Sequence, residues 1–598
     1  NPPYSGHSLN KGPWISRLIE TYKEGCPELR KPAQAKWLSD DYVKFIRFAQ
    51  WRIEQTGYGI LGFITNHSYL DSPTFRGMRQ SLKKTFDDIY VLDLHGNTKR
   101  KEVCPDGSKD ENVFDIQQGV AISIFLKHKR DAASSDDVFH SDLWGTRGSW
   151  PKHDGSDATN GKHAWLAQND VKTEKWSVLR PAHPDFFLVP RDTSREVEYT
   201  KGWQVSDIFN PNGDPAPGIV TTHDQFAVSW TAEEAVEKVE RLLSTTSEDE
   251  ARQLFRLCSQ NQWNYGRAKR ELTNGDWRQS VTDIHYRPFD IRWTVYDRNV
   301  AVHRRDRVMR HFRAGENLAL ITSRMTKGES FRHTQVTRII CEVICMSPRT
   351  SNNGFIFPLY LYPNGDLFDN GETSDAPGGR RPNLNQDFVK DVAKKVKLKF
   401  VPDGVGDLKK TFGPEDIFHY MYAVFHSPTY RSRYAEFLKI DFPRLPLTTK
   451  RPLFRTLCGL GAELVGLHLM EQHGPPLARF EQEGDMLVEQ VRFTDEIAAS
   501  SAERRTPRND DQPQAACAAG KVWINQTQYF DCVPREVWEF HIGGYQVCHK
   551  WLKDRKGRTL SIDDIDHYQH IVSALSETIR LMAEIDAAID QHGGWPIQ

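Results

Sequence analysis

Nowhere in its 598 residues does the chain carry a Cys-x-x-Cys pair, and its nine cysteines are scattered. This spacing excludes a zinc knuckle and a disulfide framework, and it implies a reducing compartment. The closest two, Cys341 and Cys345, sit among Ile339, Ile340, Val343 and Ile344, which reads as buried chain and not as a metal site. No apolar run approaches the roughly 20 residues of a membrane span; the longest covers residues 58–65. No signal peptide is expected. Net charge is missing as well, with 79 basic side chains against 80 acidic ones. Overall charge therefore does not announce a nucleic-acid partner, and any DNA surface must come from local clustering. No GxxxxGKS or GxxxxGKT sequence occurs, so this chain holds no P-loop. A cytoplasmic protein with no membrane partner and no metal is expected.

What is present is a long, ordinary globular composition, 38% hydrophobic and 11% aromatic. One hydrophobic core does not serve such a length, so two to four domains are expected. Residues 40–55 read as an amphipathic helix, because Tyr42, Phe45, Ile46, Ala49 and Ile53 recur three and four apart. Residues 60–65 form a short apolar run between turn signals, as in a buried parallel strand. A helix over 74–86 and strands over 89–94 and 120–126 follow, and the alternation argues for an α/β sheet. Residues 131–162 read as a polar loop and 165–192 as irregular or β-rich. Helices are expected over 232–243 and 248–258. Strands are expected over 284–296, 318–323, 339–346 and 355–362, then a helix over 414–437. Residues 494–519 read as a linker. The last segment is the clearest helix: Ser561 and Asp564 suit a capping box, and Ile565, Tyr568, Val572, Leu575, Ile579 and Met582 keep helical spacing.

The chain opens on Asn1-Pro2-Pro3-Tyr4. An amide oxygen and a backbone carbonyl, at Asn1 and Pro2, are able to accept both hydrogens of an exocyclic amino group. Two prolines fix φ near −65° and keep the turn out of a helix. Tyr4 offers a face for stacking a base. An ordinary Pro-Pro turn has the same composition. The tetrapeptide nevertheless resembles the catalytic motif of amino-group methyltransferases, above all the N6-adenine DNA methyltransferases.

Later segments extend the resemblance. Residues 59–69 (GILGFITNHSY) resemble the strand and loop after that catalytic loop, and 74–78 the start of the next helix. Residues 112–121 (NVFDIQQGVA) resemble the loop whose aromatic, here Phe114, lies on the other face of a flipped base. Tyr286-Arg287-Pro288-Phe289-Asp290, the stretch 323–327, Phe357-Pro358-Leu359-Tyr360, residues 415–430, the run 442–446 and Ile542-Gly543-Gly544-Tyr545 complete the set. Together they resemble the C-terminal half of type ISP restriction-modification enzymes, in which one polypeptide carries a nuclease, a translocase, an adenine methyltransferase and a target-recognition domain. The resemblance implies an α/β fold: a partial Rossmann-like methyltransferase domain, an α+β target-recognition domain and a helical C-terminus. Its borders are expected at 1–130 for the catalytic half, 131–280 for a connector, 281–493 for specificity, 494–520 for a linker and 521–598 for the helical end. With no initiator methionine, and a start inside a motif, the chain is read as a fragment whose nuclease, translocase and S-adenosylmethionine motif lie upstream of Asn1.

The resemblance also assigns roles. Asn1, Pro2, Pro3 and Tyr4 form the catalytic set, Tyr4 and Phe114 sandwich the base, and duplex DNA is the partner. Asn66 and His67 end a strand near this loop but are read as loop hydrogen bonding. Gly459-Leu460-Gly461 lacks a preceding strand and reads as helix packing, not a cofactor loop. Residues 298–313 hold six arginines (Arg298, Arg304, Arg305, Arg307, Arg310, Arg313) against one acid, Asp306, and Arg324, Lys327, Arg332 and Arg338 follow. Arginine suits bidentate contacts with guanine edges and phosphates, so these are the expected DNA-binding residues; a solvated, ion-paired face is the plain alternative. Lys394, Lys395, Lys397 and Lys399 read as a solvated face. Two other functions stay open, a DNA-binding module without chemistry and an RNA or protein amino-methyltransferase.

Overall fold

The computed structural model describes the chain except residues 1, 4–7, 27–28, 30–34, 99–101, 130–136, 150–159, 210–215, 260–261, 327, 350–351, 364–375, 496–519 and 598. Most of the expected linker lies outside the described residues. The chain divides into two compact units, Asn1–Thr193 and Ser194–Gln598.

The first unit is built on a five-stranded sheet. Its helices α1 (Pro13–Glu20), α2 (Asp41–Thr56) and α3 (Arg76–Thr85) pack with strands β1 (Gly59–Asn66), β2 (Asp88–Asp93), β3 (Val120–Lys127), β4 (Val138–Asp142) and β5 (Ser177–Leu179). The strand order is β1-β3-β2-β4-β5. Strand β3 runs antiparallel to both β1 and β2, which therefore share a direction, and β4 runs parallel to β2. Helix α2 forms where the spacing predicts it, buries Tyr42, Val43, Ile46 and Ile53, and ends on Gly57 at φ 76°. Glycine enters this left-handed cap at no steric cost.

Two expectations are corrected here. Strand β1 is an antiparallel edge strand, not a buried parallel one; Leu61 and Thr65 face the core while Ile60 is 72% exposed. The polar stretch after residue 130 contains β4, whose Val138 and His140 are buried against β2. The sheet thus runs past residue 130, and helix α4 (Gly161–Gln168) belongs to the same unit.

In the second unit one hydrophobic core runs from Tyr199 to Ile597, so the expected segments 281–493 and 521–598 share it. A four-stranded antiparallel sheet joins β6 (Ala216–Pro217), β9 (Ala319–Ser323), β10 (Thr334–Thr337) and β11 (Gly354–Pro358) in the order β10-β9-β11-β6. Helix α5 (Ala232–Ser244) packs on the hairpin of β7 (Val281–Arg287) and β8 (Asp290–Val295), which turns at Phe289 with φ 58°. The strand expected over 339–346 is instead β10, five residues earlier; residues 339–346 make single bridges to Ile219 and His285. The expected helix over 414–437 breaks at Pro428 into α9 (Pro414–His426) and two shorter helices, because Ser427 Oγ accepts from Tyr430 N and restarts the chain.

Helix α10 (Arg451–His468) crosses α9 so closely that a Cβ on Gly461 would collide with the His419 carbonyl. Gly459-Leu460-Gly461 lies within this helix, as its sequence context indicates, with Gly461 at the packed face. The terminal helix α11 (Ile562–Gln591) starts on the expected capping box.

This unit buries histidines as neutral rings. Burial pushes His285 and His419 down to about 4 and His468 to about 3. Their folded values lie below the ordinary imidazole value, so the unfolded chain binds three more protons as pH falls from 6.5 toward 4. Their contribution is present above 6.5 and is lost as pH falls through the folded values, about 2 kcal/mol each by pH 5. Denaturant titrations at pH 7 and pH 5 should show the second unit far less stable at pH 5. Equal stability at both would mean that these rings are solvated.

Candidate catalytic pocket and candidate nucleic-acid interface

The carboxyl ends of β1 and β2 lie at the same end of the first sheet, where ligands of open α/β sheets bind. Strand β1 ends at Asn66, with His67 next in the chain, and β2 ends at Asp93. Asn66 Oδ1 accepts from Ser68 N at 2.9 Å, so this side chain does hold its loop. His67 does more. Its Nδ1 stands 3.0 Å from Asp93 Oδ1, which also accepts from His95 N at 3.0 Å. His95 Nε2 meets Asp142 Oδ1 at 2.8 Å, and Asn97 Nδ2 approaches His67 Nε2 at 3.4 Å. Burial alone would raise the Asp93 carboxyl, but the His67 and His95 rings and the His95 N–H outweigh it and hold the group well below the usual carboxylate range. A Cβ on Gly119 would collide with the His67 ring, so glycine is required there. His67, Asp93 and His95 are all buried and bring ligand atoms within 4.8 Å of one another, although the sequence marks no metal site. In the structure those atoms are engaged with each other.

Phe114 lies in the loop that returns from this end of β2 to β3. It is half-buried against Leu92, Leu94, Val113 and Val120. Asn112 shapes the loop: its Oδ1 accepts from Phe114 N at 2.8 Å, and its Nδ2 donates to Gly96 O at 3.1 Å and Gln118 O at 2.6 Å. Arg147 donates to the Asn112 and Phe114 carbonyls, both at 2.6 Å. Lys162, fully buried, donates to Leu94 O and Glu111 O and pairs with buried Asp110 at 2.7 Å. An open recess of about 690 Å³ is lined by residues on both sides of Phe114, among them Asn112, Asp115, Gln117 and Arg147. Of the opening tetrapeptide, Pro2 is buried and Pro3 exposed, while Asn1 and Tyr4 lie outside the described residues.

In the second unit most of the sequence-named arginines have partners inside the protein. Arg298 pairs with Glu271 at 3.0 Å, Arg324 with Asp441 at 2.9 Å, and Arg304 with Asp306. Arg313 lies over the Tyr296 ring, 5.2 Å from its centroid, as does Arg304. Arg305 sits at the start of α8 (Asp306–Arg313) with φ 56°, and its Nε is buried without a hydrogen-bond partner among the described atoms. Burial alone lowers its pKa. Arg307 and Arg310 on α8 share a recess of about 140 Å³ with Arg381 and Asn383. Arg332 is exposed, with its carbonyl accepting from Gly543 N, and Lys327 lies outside the described residues.

The Tyr286–Asp290 motif has a different part. Arg287 pairs with Glu342 at 2.7 Å inside the core, where burial pushes the Glu342 carboxyl up to about 7 against the pull of Arg287. Asp290 binds Arg292 at 2.6 Å and Arg555 at 3.3 Å, and Arg555 reaches Asp564 on α11 at 3.2 Å. This chain of buried charges ties the hairpin to the C-terminal helix.

The whole architecture has counterparts among solved structures. Over 98% of its length the chain superposes, with a TM-score of 0.63 and 19% identity, on a nuclease-deletion mutant of the Type ISP restriction-modification enzyme LlaGI in complex with a DNA substrate mimic, of which it covers 44%. It matches the ATP-dependent Type ISP restriction-modification enzyme LlaBIII bound to DNA over 100% of its length, with a TM-score of 0.63 and 19% identity, and covers 37% of that protein. It matches DrdV in its DNA complex over 98%, with a TM-score of 0.64 and 21% identity, and covers 56%. The chain thus spans between about a third and about half of the proteins whose fold it shares. No curated protein matches it in sequence. Residues 213–584 match the Type ISP C-terminal specificity domain, and the chain belongs to that family. Among the described residues, no helix is long and apolar enough to cross a membrane.

Proposed function

We propose that the chain is the adenine-methylating and sequence-recognising part of a restriction-modification enzyme that acts on duplex DNA in the cytoplasm. One observation carries the reading: a specificity domain of the Type ISP family follows, in the same polypeptide, an Asn-Pro-Pro-Tyr tetrapeptide suited to an exocyclic amine. On this reading the first sheet is the C-terminal half of a Rossmann-like domain, and its strand pattern, with one reversed strand between two co-directional ones, is compatible with that.

Adenine N6 is hidden in a duplex, so the nucleotide must rotate out at a cost of a few kcal/mol. Stacking returns about 1–3 kcal/mol per aromatic contact. Tyr4 on one face and Phe114 on the other would offset most of that cost. Asn1 Oδ1 and the Pro2 carbonyl accept the two N6 hydrogens, shift N6 toward sp3 and localise its lone pair. No covalent enzyme intermediate is required. S-adenosylmethionine is the methyl source, and the Gly459–Gly461 run is not its loop, because it lies inside a helix whose Gly461 packs against the His419 carbonyl. Its pocket is assigned to protein upstream of Asn1, with the nuclease and translocase.

The test is transfer of labelled methyl by the intact enzyme to duplex DNA, with RNA as competitor. Label on adenine N6 of the duplex is the expected result. Duplex binding without label would leave a DNA-binding specificity module, and labelling of RNA or protein would move the chain to another methyltransferase class.

A further inference from the structure

Just beyond the lysine run that reads as a solvated face from sequence, Leu408 and Lys409 form one wall of a basic groove. Helix α10 forms the other wall. The groove measures about 650 Å³ and is lined by Leu408, Lys409, Arg451, Arg455, Gly459 and Leu460, with Glu463 at one end. Arg451 is its clasp. Its guanidinium donates to the carbonyls of Val396 (3.2 Å), Lys397 (2.8 Å) and Lys409 (3.3 Å), so it ties two backbone segments together, and among the described residues no carboxylate pairs with it. Lys399 N donates to Lys410 O at 2.9 Å and joins the short parallel pair Lys399–Phe400 and Thr411–Phe412.

The cations around this clasp are left without internal partners. Lys397, Lys399, Lys409, Lys410 and Arg455 are all exposed, and none of their side chains makes an ion pair or hydrogen bond among the described residues. Several arginines elsewhere are neutralised internally, as in Arg298–Glu271, Arg324–Asp441 and Arg338–Glu471. Here three cations, Lys409, Arg451 and Arg455, line the groove against one acid, Glu463, and Lys397, Lys399, Lys410 and Asp407 belong to the segments beside it. Asp407 is held by the N–H groups of Lys409, Lys410 and Thr411 at 2.7–2.9 Å, and Glu463 lies 3.8 Å from Arg580. A merely solvated face mixes both signs. Gly459 adds bare backbone, since a Cβ there would meet nothing within 4 Å. An extended anionic backbone therefore has open access along the helix.

We propose that this groove holds the phosphate backbone of duplex DNA, as a contact surface beyond the arginines named from the sequence. The proposal rests on the DNA-recognition reading above. Unpaired, flexible lysines suit a row of phosphates better than base edges, so the groove adds affinity and register, not sequence choice.

The experiment measures the salt dependence of random-sequence duplex binding by the 598-residue chain and by its Lys399→Ala/Lys409→Ala/Arg455→Ala variant. Arg451 is left intact because it holds the fold. Loss of three phosphate contacts makes the plot of log K against log salt less steep by about 2.7, and weakens binding on the order of 10²-fold near 0.1 M salt. The charge-keeping variant Lys399→Arg/Lys409→Arg/Arg455→Lys should retain the wild-type slope, and all three proteins should melt together. An unchanged slope in the alanine variant overturns the groove while leaving DNA recognition in place; an acidic protein partner would give that outcome. A wild-type chain that binds no duplex at any salt overturns the DNA reading itself, and the groove with it.

Discussion

Replacing Lys162 with methionine should unfold the first unit or release the loop that carries Phe114. Lys162 and Asp110 are both 0% exposed and 2.7 Å apart. Around them the charge is well satisfied: Asp110 also accepts from Gly96 N at 2.7 Å and Gly145 N at 3.0 Å, and Lys162 also donates to two carbonyls. Methionine keeps the length of the side chain but removes the charge and every donor. A buried carboxylate without its cation costs about 3–5 kcal/mol, and each stranded carbonyl adds about 1–3 kcal/mol. Whole domains have only about 5–15 kcal/mol of stability. Denaturant unfolding should therefore show the Asn1–Thr193 transition lowered by at least about 3 kcal/mol, with the Ser194–Gln598 transition in place. Protease should gain access to the loop between β2 and β3. The double variant Lys162→Met/Asp110→Asn should recover part of the loss, because no bare charge remains. A loss under about 1 kcal/mol for the single change would show that the pair is solvated.

Lys162 also illustrates what a sequence conceals. It stands in a polar run that reads as a loop, and nothing local marks it as a fully buried cation. Helices α2 and α11 are legible because their signals are local: apolar residues three and four apart, a Gly57 stop, a Ser561 cap. Strands are decided by distant partners. Gly59–Asn66 reads as a buried parallel strand, but its pairing is set by β3, some 60 residues on, and leaves it at an edge. Thr334–Thr337 is three-quarters polar and gives no strand signal, yet it is wholly buried beside β9.

Charge behaves in the same way. The arginine-dense stretch 298–313 is visible in the sequence, but Glu271 lies 27 residues from Arg298, and the Glu471 that neutralises Arg338 is 133 residues away. The opposite case is the groove at Arg451. Its cations come from 397–410 and 451–455, and no single segment looks exceptional. Density of charge along a chain is thus a poor guide to field at a surface; what matters is which cations the fold leaves without acids.

Asn1→Ala in the intact enzyme should abolish methylation while leaving duplex affinity largely unchanged. The argument is one of differential binding. The Asn1 amide oxygen takes an N6 hydrogen most strongly as nitrogen pyramidalises, so its loss falls on the transition state more than on the bound ground state. Removal of one such polar contact typically costs on the order of 10²–10³ in kcat. Here the poor nucleophilicity of a conjugated amine makes the dependence steeper, because the Pro2 carbonyl alone accepts only one of the two hydrogens. Phe114→Ala should separate from it. A stacking face contributes to holding the extruded base in ground state and transition state alike, so about 1–3 kcal/mol is lost, as weaker binding of duplexes with a destabilised target pair. The check is single-turnover methyl transfer beside equilibrium binding for both variants. Asn1→Ala with retained turnover would remove the amide from the chemistry. Phe114→Ala with unchanged binding and rate would return that ring to the cluster of Leu92, Leu94, Val113 and Val120 that it already touches.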